Sequence, residues 1–277
     1  MTLSIALPNK GALHEGAAAI FKEAGYQLRR DSRDLSFYDA KNDIEFFYLR
    51  PRDIATYVAS GDLDLGVTGR DLLLDSGVAA EERLALDFGR SQFRFAAPAG
   101  AGNLAGKRIA TSYPRLVANY LNTREISATI IELDGAVEGA IKLGLADLIA
   151  DVVATGNTLK QAGLVIFEEV VMESEAILIS RPSYRNEALE RLSRRLNGVV
   201  IARQYVLVDY DIAEGSLEAA CGVTPGLESP TISPLKRPGW YAVRAMVKRS
   251  EVHDAMDQLW EIGARGILVT DIHSSRL

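Results

Sequence analysis

An apolar run, Leu148-Ile149-Ala150, delivers a single acid, Asp151, and then the segment Val152-Val153-Ala154-Thr155-Gly156-Asn157-Thr158 ahead of Leu159. A turn of small and hydroxyl residues after a strand points backbone N–H groups outward. A helix opening at Leu159-Lys160-Gln161 adds partial positive charge, so a phosphate group suits this pattern. Thr155 and Thr158 can donate to phosphate oxygens, and Gly156 allows close backbone approach. Asp151, expected at the strand end, is placed for ribose hydroxyls or a magnesium ion. Taken alone, the same letters also describe an ordinary turn capped by Thr155 or Asn157.

A second stretch repeats the grammar. Gly61-Asp-Leu-Asp-Leu-Gly-Val67 parallels Gly144-Leu-Ala-Asp-Leu-Ile-Ala150, and its strand runs into Thr68-Gly69-Arg70-Asp71. Gly69 and Thr68 make another anion-friendly turn, and Asp71 then stands beside a ligand rather than serving only as a first-turn charge. Lys10 and Gly11 follow the first strand and offer a point charge for a polyphosphate, or a plain surface turn. Arg50, in Leu49-Arg50-Pro51-Arg52-Asp53, can fork onto phosphate or carboxylate, or sit in a surface ion pair. Tyr113, after Thr111-Ser112, precedes Pro114 and what reads as an ordinary helix N-cap. Asp134 and Glu138 offer carboxylates at the cleft, or simply cap the helix that follows.

These residues need elements to hold them. Strands are predicted over Ser4–Leu7, Ile44–Leu49, Leu63–Val67, Lys107–Ala110, Ala128–Leu133 and up to Asp151. Helices are predicted over Ala12–Ala24, Asp53–Ser60, Pro114–Leu121 and Val137–Leu143, most of them stopped by glycine. Alternation at this spacing gives α/β layering, and two such lobes make a cleft lined by strand ends. A basic helix from Glu187 to Asn197 ends at Gly198. Beyond it come a strand over Ile201–Asp209, a helix over Gly215–Ala220, a strand over Trp240–Val247, a helix over Glu251–Ile262 and a strand over Gly266–Ile272. That order suggests a small ferredoxin-like α+β module.

Bulk properties narrow the classes. The 277 residues allow two or three domains. With 31 Lys and Arg against 37 Asp and Glu, the net charge of -6 weighs against a nucleic-acid binder. One cysteine, Cys221, and three scattered histidines, His14, His253 and His273, give no disulfide framework and no metal site at ligand spacing. No apolar stretch nears the roughly 20 residues that span a bilayer, and no export signal is read, so a soluble, cytoplasmic protein is expected.

Several of these stretches together resemble one family, the long form of ATP phosphoribosyltransferase. They are Ala6–Gly11, Leu49–Ile54, Gly66–Asp71, Asp134–Glu138, Leu143–Asp147, Asp151–Leu159 and Thr224–Thr231, in family order through nearly the whole chain. The resemblance implies two α/β lobes similar to periplasmic binding proteins and a C-terminal ferredoxin-like regulatory domain. It places residues 1–92 and 182–200 in lobe I, 93–181 in lobe II and 201–277 in the regulatory domain. It implies transfer of phosphoribose from phosphoribosyl pyrophosphate to N1 of ATP with Mg²⁺, feedback inhibition by histidine, and a homo-oligomer that passes from dimer to hexamer. Asp151, Ala154, Thr155, Gly156, Asn157 and Thr158 would hold the phosphoribosyl donor. Lys10, Gly11, Arg50, Gly69, Asp71, Tyr113 and Glu138 would line the ATP side. Lys10, Arg50, Asp71 and Asp151 would carry the chemistry, and Asp211 and Thr231 would contact histidine. Many phosphoribosyltransferases place two adjacent acids before the loop, whereas Ala150 precedes Asp151 here.

Overall fold

The computed structural model describes residues 2–28, 34–101, 103–153 and 156–276. In chain order, β1 (Leu3–Pro8), α1 (Gly11–Glu23), β2 (Ser36–Asp39), β3 (Ile44–Leu49), α2 (Pro51–Ser60), β4 (Leu65–Gly69), α3 (Arg70–Ser76) and β5 (Glu81–Ala85) build most of the first lobe. The second lobe holds β6 (Ser91–Ala97), β7 (Arg108–Thr111), α4 (Pro114–Thr123), β8 (Thr129–Glu132), α5 (Glu138–Lys142), β9 (Leu148–Val153), α6 (Asn157–Gln161) and β10 (Val165–Ser174). Then follow β11 (Ala176–Ser180), α7 (Glu187–Gln204), β12 (Tyr205–Ala213), α8 (Leu217–Val223), β13 (Thr231–Pro234), β14 (Trp240–Lys248), α9 (Val252–Ile262) and β15 (Arg265–Asp271). Internal contacts fall into two compact units, 1–22 with 26–193, and 23–25 with 194–277. Both lobes lie in the first.

The first sheet runs β2-β3-β1-β4-β11-β5, with β1 parallel to β3 and β4. β1 and β4 are apolar on both faces because helices cover both, as a layered α/β sheet demands. Pro51 opens α2 and the left-handed Gly61 (φ 92°) closes it. Ile54, Ala55 and Val58 of α2 are buried, each of the larger two worth about 1.5–3 kcal/mol. They reach β4 because Gly66 has no Cβ to strike Ile54. The second sheet runs β10-β6-β9-β7-β8, with β7 parallel to β8 and β9. Phe93, Phe95, Val117 and Leu121 pack on one face, and Ala96, Ile149, Leu159 and Leu164 on the other.

The C-terminal module orders its sheet β13-β14-β12-β15, the ferredoxin-like arrangement. Val206, Val208, Tyr210 and Ile212 alternate inward from β12 onto α8 and α9. Among the described residues no helix is long and apolar enough to cross a membrane.

Three boundaries differ from the sequence reading. The chain rejoins the first sheet at Ala176, not after Arg181, because the all-buried β11 fills the space between β4 and β5. β6 already starts at Ser91. Gly198 does not end its helix: α7 continues to Gln204, so the strand expected from Ile201 begins at Tyr205. Gly198 instead leaves room for the chain's tail, whose Ser275 hydroxyl donates to the Gly198 carbonyl at 3.0 Å.

Candidate active site

The strand ends that carry the predicted residues converge within the first unit. On lobe I, β4 hands over to α3 at Gly69, which has no side chain to cap the helix. The Asp71 carboxylate folds back over Gly69, where a Cβ would obstruct it. Ser174, the last residue of β10, donates from its hydroxyl to Asp71 Oδ1 at 2.6 Å and accepts the Asp71 N–H at 3.1 Å. The Tyr113 phenol of lobe II lies near the same carboxylate. Burial first, then the charges of Asp71 and Asp151, push the Tyr113 phenol well above its ordinary range, so it stays a donor. Thr68 is fully buried and spends its hydroxyl on the Pro51 carbonyl at 2.8 Å. It braces α2 rather than facing a ligand.

On lobe II, Asp151 lies inside β9, two residues short of its end, opposite Arg94 of β6. Its Oδ1 accepts the Val152 N–H at 2.7 Å. Burial raises its pKa to about 6, and the neighbouring Glu138 and Asp71 add to the rise while Arg52 works against it. Asp151 thus has an acid of each lobe, Asp71 and Glu138, near it. Gly156 takes the left-handed conformation (φ 72°) that the turn into α6 requires. Asn157 and Thr158 are exposed, and α6 has five residues, too short for a helix dipole of consequence. Anion attraction at this turn rests on N–H and hydroxyl donors. Asp151, Glu138, Gly156 and Thr158 line a recess of about 200 Å³, and Gly156 also borders a hollow of about 680 Å³ reaching Arg70, Gln92 and Ser174. The predicted Ala154 and Thr155 lie outside the described residues.

Lys10, Gly11 and Arg50 sit together at the exposed ends of β1 and β3, where Asn9 N–H reaches the Leu49 carbonyl at 2.8 Å. Among the described residues neither cation forms a side-chain hydrogen bond or ion pair, and neither contacts Asp71 or Asp151. The arginine that does reach this region is Arg52. Its Nη1 lies 3.0 Å from Asp75 Oδ2, and its guanidinium stacks 4.9 Å from the centroid of the Tyr113 ring. Pro51 at the helix start separates the two arginines: Arg50 stays outside the helix, and Arg52 rides its first turn.

Ser174, Arg52 and Asp75 are the participants that sequence reading did not assign. No local motif marks Ser174, which meets Asp71 only because β10 returns toward lobe I. In the separate C-terminal unit, Asp211 on β12 and Thr231 on β13 lie on the open face of the sheet, two strands apart, with the Asp209–Arg244 ion pair (2.7 Å) on the same face.

The chain is similar to known proteins along its whole length. Residues 50–198 match the family model described as ATP phosphoribosyltransferase, and residues 202–274 match the one described as HisG, C-terminal domain. The ATP phosphoribosyltransferase of Arthrobacter sp. (strain FB24) is 55% identical, covering 99% of this chain and 100% of the relative. That of Kocuria rhizophila is 56% identical with the same coverage. A solved chain of the ATP phosphoribosyl transferase (HisG:HisZ) complex from Thermotoga maritima superposes with a TM-score of 0.63 at 33% identity, over 72% of this chain and 98% of its own. With relatives this similar end to end, and a C-terminal domain match following the catalytic one, the chain belongs to the long-form ATP phosphoribosyltransferase family.

Proposed function

We propose that the cleft between the lobes joins N1 of the ATP adenine to C1 of phosphoribosyl pyrophosphate and releases pyrophosphate, the first step of histidine biosynthesis. The observation that carries this reading is the half-buried Asp151 beside the Gly156–Thr158 turn, facing Asp71 and Tyr113 of a cleft built from both lobes.

The chemistry asks for little proton transfer. As the bond from C1 to the pyrophosphate oxygen breaks, positive charge spreads over C1 and the ring oxygen, and the lone pair of adenine N1 closes the new bond. No strong base is required, and catalysis rests on alignment and on charge placed near both ends of the breaking bond. Gly156, Asn157 and Thr158 hold the 5-phosphate through N–H and hydroxyl donors. Asp151 receives the ribose hydroxyls and offsets the developing positive charge. Lys10 and Arg50, solvent-exposed and uncommitted to any acid, take the phosphate oxygens of ATP and the departing pyrophosphate.

Mg²⁺ fits the acids present. A magnesium site uses one or two carboxylates plus substrate phosphates, and the half-buried Asp151 has the carboxylates of Glu138 and Asp71 near it, with the Arg52 charge opposing them. When bound, the ion neutralises charge on the pyrophosphate leaving group. Asp151 is the residue that would hold it.

Histidine as inhibitor belongs to the same reading. Asp211 and Thr231 on the open sheet face of the C-terminal module would take its ammonium and carboxylate groups, and oligomers from dimer to hexamer would respond. The test is ultraviolet absorbance of the modified adenine on mixing the chain with ATP, phosphoribosyl pyrophosphate and Mg²⁺, with and without histidine. Turnover suppressed by histidine supports the whole reading. Binding of both substrates without turnover would leave a two-lobed receptor instead.

A further inference from the structure

The N-terminus of α4 is capped from the other lobe. Its own N-cap position, Tyr113, makes no side-chain cap, and the nearby Thr111 hydroxyl accepts the Tyr113 N–H at 3.0 Å. The N–H groups of Arg115 and Leu116 instead donate to Asp75 Oδ1 at 3.0 and 3.1 Å. Asp75 stands at the end of α3, forty residues upstream, and only 6% of it is exposed. Its other oxygen takes Arg52 at 3.0 Å. Arg115 reaches back to the Ser76 carbonyl at 2.6 Å, passing over Gly77, whose missing Cβ leaves the guanidinium its space. One carboxylate thus satisfies two orphan helix donors of lobe II and one cation of lobe I.

We infer that Asp75 is a positioning residue of the transferase: by capping α4 across the lobes it holds Tyr113 against Asp71 and so sets the width of the cleft. This rests on the reading of the cleft as the reaction site. The physical case is the connectivity. Tyr113 is the residue directly before α4, so the helix end fixed by Asp75 is also the point from which the Tyr113 ring departs. Arg52 closes the circuit, bound to Asp75 on one side and stacked on Tyr113 on the other. Removing the carboxylate frees the α4 terminus from lobe I and leaves Arg52 without its acid.

Two measurements test this together. Amide hydrogen exchange at Arg115 and Leu116 reads the cap itself, and a double-mutant cycle of Asp75→Ala with Tyr113→Phe reads its use. Exchange at those two amides should quicken at least about tenfold in Asp75→Ala, in line with the loss of a helix cap. The value of kcat/KM for ATP should fall by about 10- to 100-fold, as sub-ångström misplacement produces. On the Tyr113→Phe background the same change should cost less than about threefold, since residues acting as one unit are not additive. Asp75→Asn, which keeps the shape and loses the charge, should lie between wild type and Asp75→Ala, and it replaces Asp75→Ala in the cycle if that variant does not fold. A full, multiplicative loss on the Tyr113→Phe background, or unchanged exchange at Arg115 and Leu116, overturns the assignment. If the wild-type chain formed no phosphoribosyl-ATP, the reaction reading would fall, while faster exchange at those amides would still establish the cross-lobe cap.

Discussion

The two strand-to-helix turns that face the cleft share a grammar and differ in character. At Thr68–Asp71 the polar side chains are committed: Thr68 to Pro51, Arg70 to Glu82, and Asp71 to Ser174. At Asp151–Thr158 the described threonine, Thr158, is exposed, the following helix is a single short turn, and Asp151 is an acid with other acids nearby. Glycine, hydroxyl and acid in sequence therefore do not by themselves say whether a turn is a brace or a receptor. What decides is whether the protein already supplies the partners. The lobe I turn is finished without a ligand. The lobe II turn is completed by one.

If that contrast holds, substitutions on the open side should act through charge and those on the closed side through shape. The largest effect is expected from Asp151→Ala, a loss on the order of 10³-fold in kcat/KM for phosphoribosyl pyrophosphate with the fold retained, measured by steady-state kinetics beside circular dichroism. Unchanged turnover would remove Asp151 from the site. Ser174→Ala should come next, at roughly 10- to 100-fold in kcat, because Asp71 loses the hydroxyl that aims it. A mere rise in KM there would mean that the closed turn is not a brace. Gly156→Ala forces a side chain into a left-handed turn at about 1 kcal/mol, so a loss of about fivefold in donor affinity is expected by calorimetry.

The smallest effect is a pH dependence. The folded pKa of Asp151, about 6, lies above its unfolded value of about 4. Ionised Asp151 therefore costs stability above pH 6, and that cost is relieved as pH falls from 6 toward 4. Asp151→Asn should accordingly raise stability at pH 8 by on the order of 1–2 kcal/mol and have little effect at pH 4, as read by denaturant unfolding. The kcat/KM profile of the wild type should lose activity on the acid side with a one-proton limb near pH 6, absent in that variant if it retains measurable turnover.

Sequence patterns found the elements whose pattern is local. β1, β3 and the strand leading to Asp151 are apolar runs, and α2 is bracketed by Pro51 and Gly61. They did not reveal β10, because Glu168, Glu169 and Glu173 sit in a strand that is half exposed, nor the charged edge strand β5. Gly198 misled for a physical reason: in this helix the glycine admits a crossing chain rather than ending the turn. At the site, Asp71, Tyr113, Asp151 and Gly156 were legible as strand-end residues. Ser174 and Asp75 were not, since each acquires its role from a partner 40 or more residues away. Arg52 and Arg50 flank the same proline in the sequence, and only the helix start at Pro51 tells the two apart.

The position of β11 has a consequence in time. It fills the slot between β4 and β5, and the residues that form it are made only after the whole second lobe has been synthesised. An emerging chain thus carries β4 with an open edge while residues 91–174 leave the ribosome, and that later segment holds all five strands of its own sheet. On the ribosome the lobe that begins second can finish first, with the N-terminal lobe waiting for its fifth strand. A chain truncated after Glu175, which keeps all five strands of the second sheet and lacks β11, should be cleaved by protease in the first lobe and spared in the second.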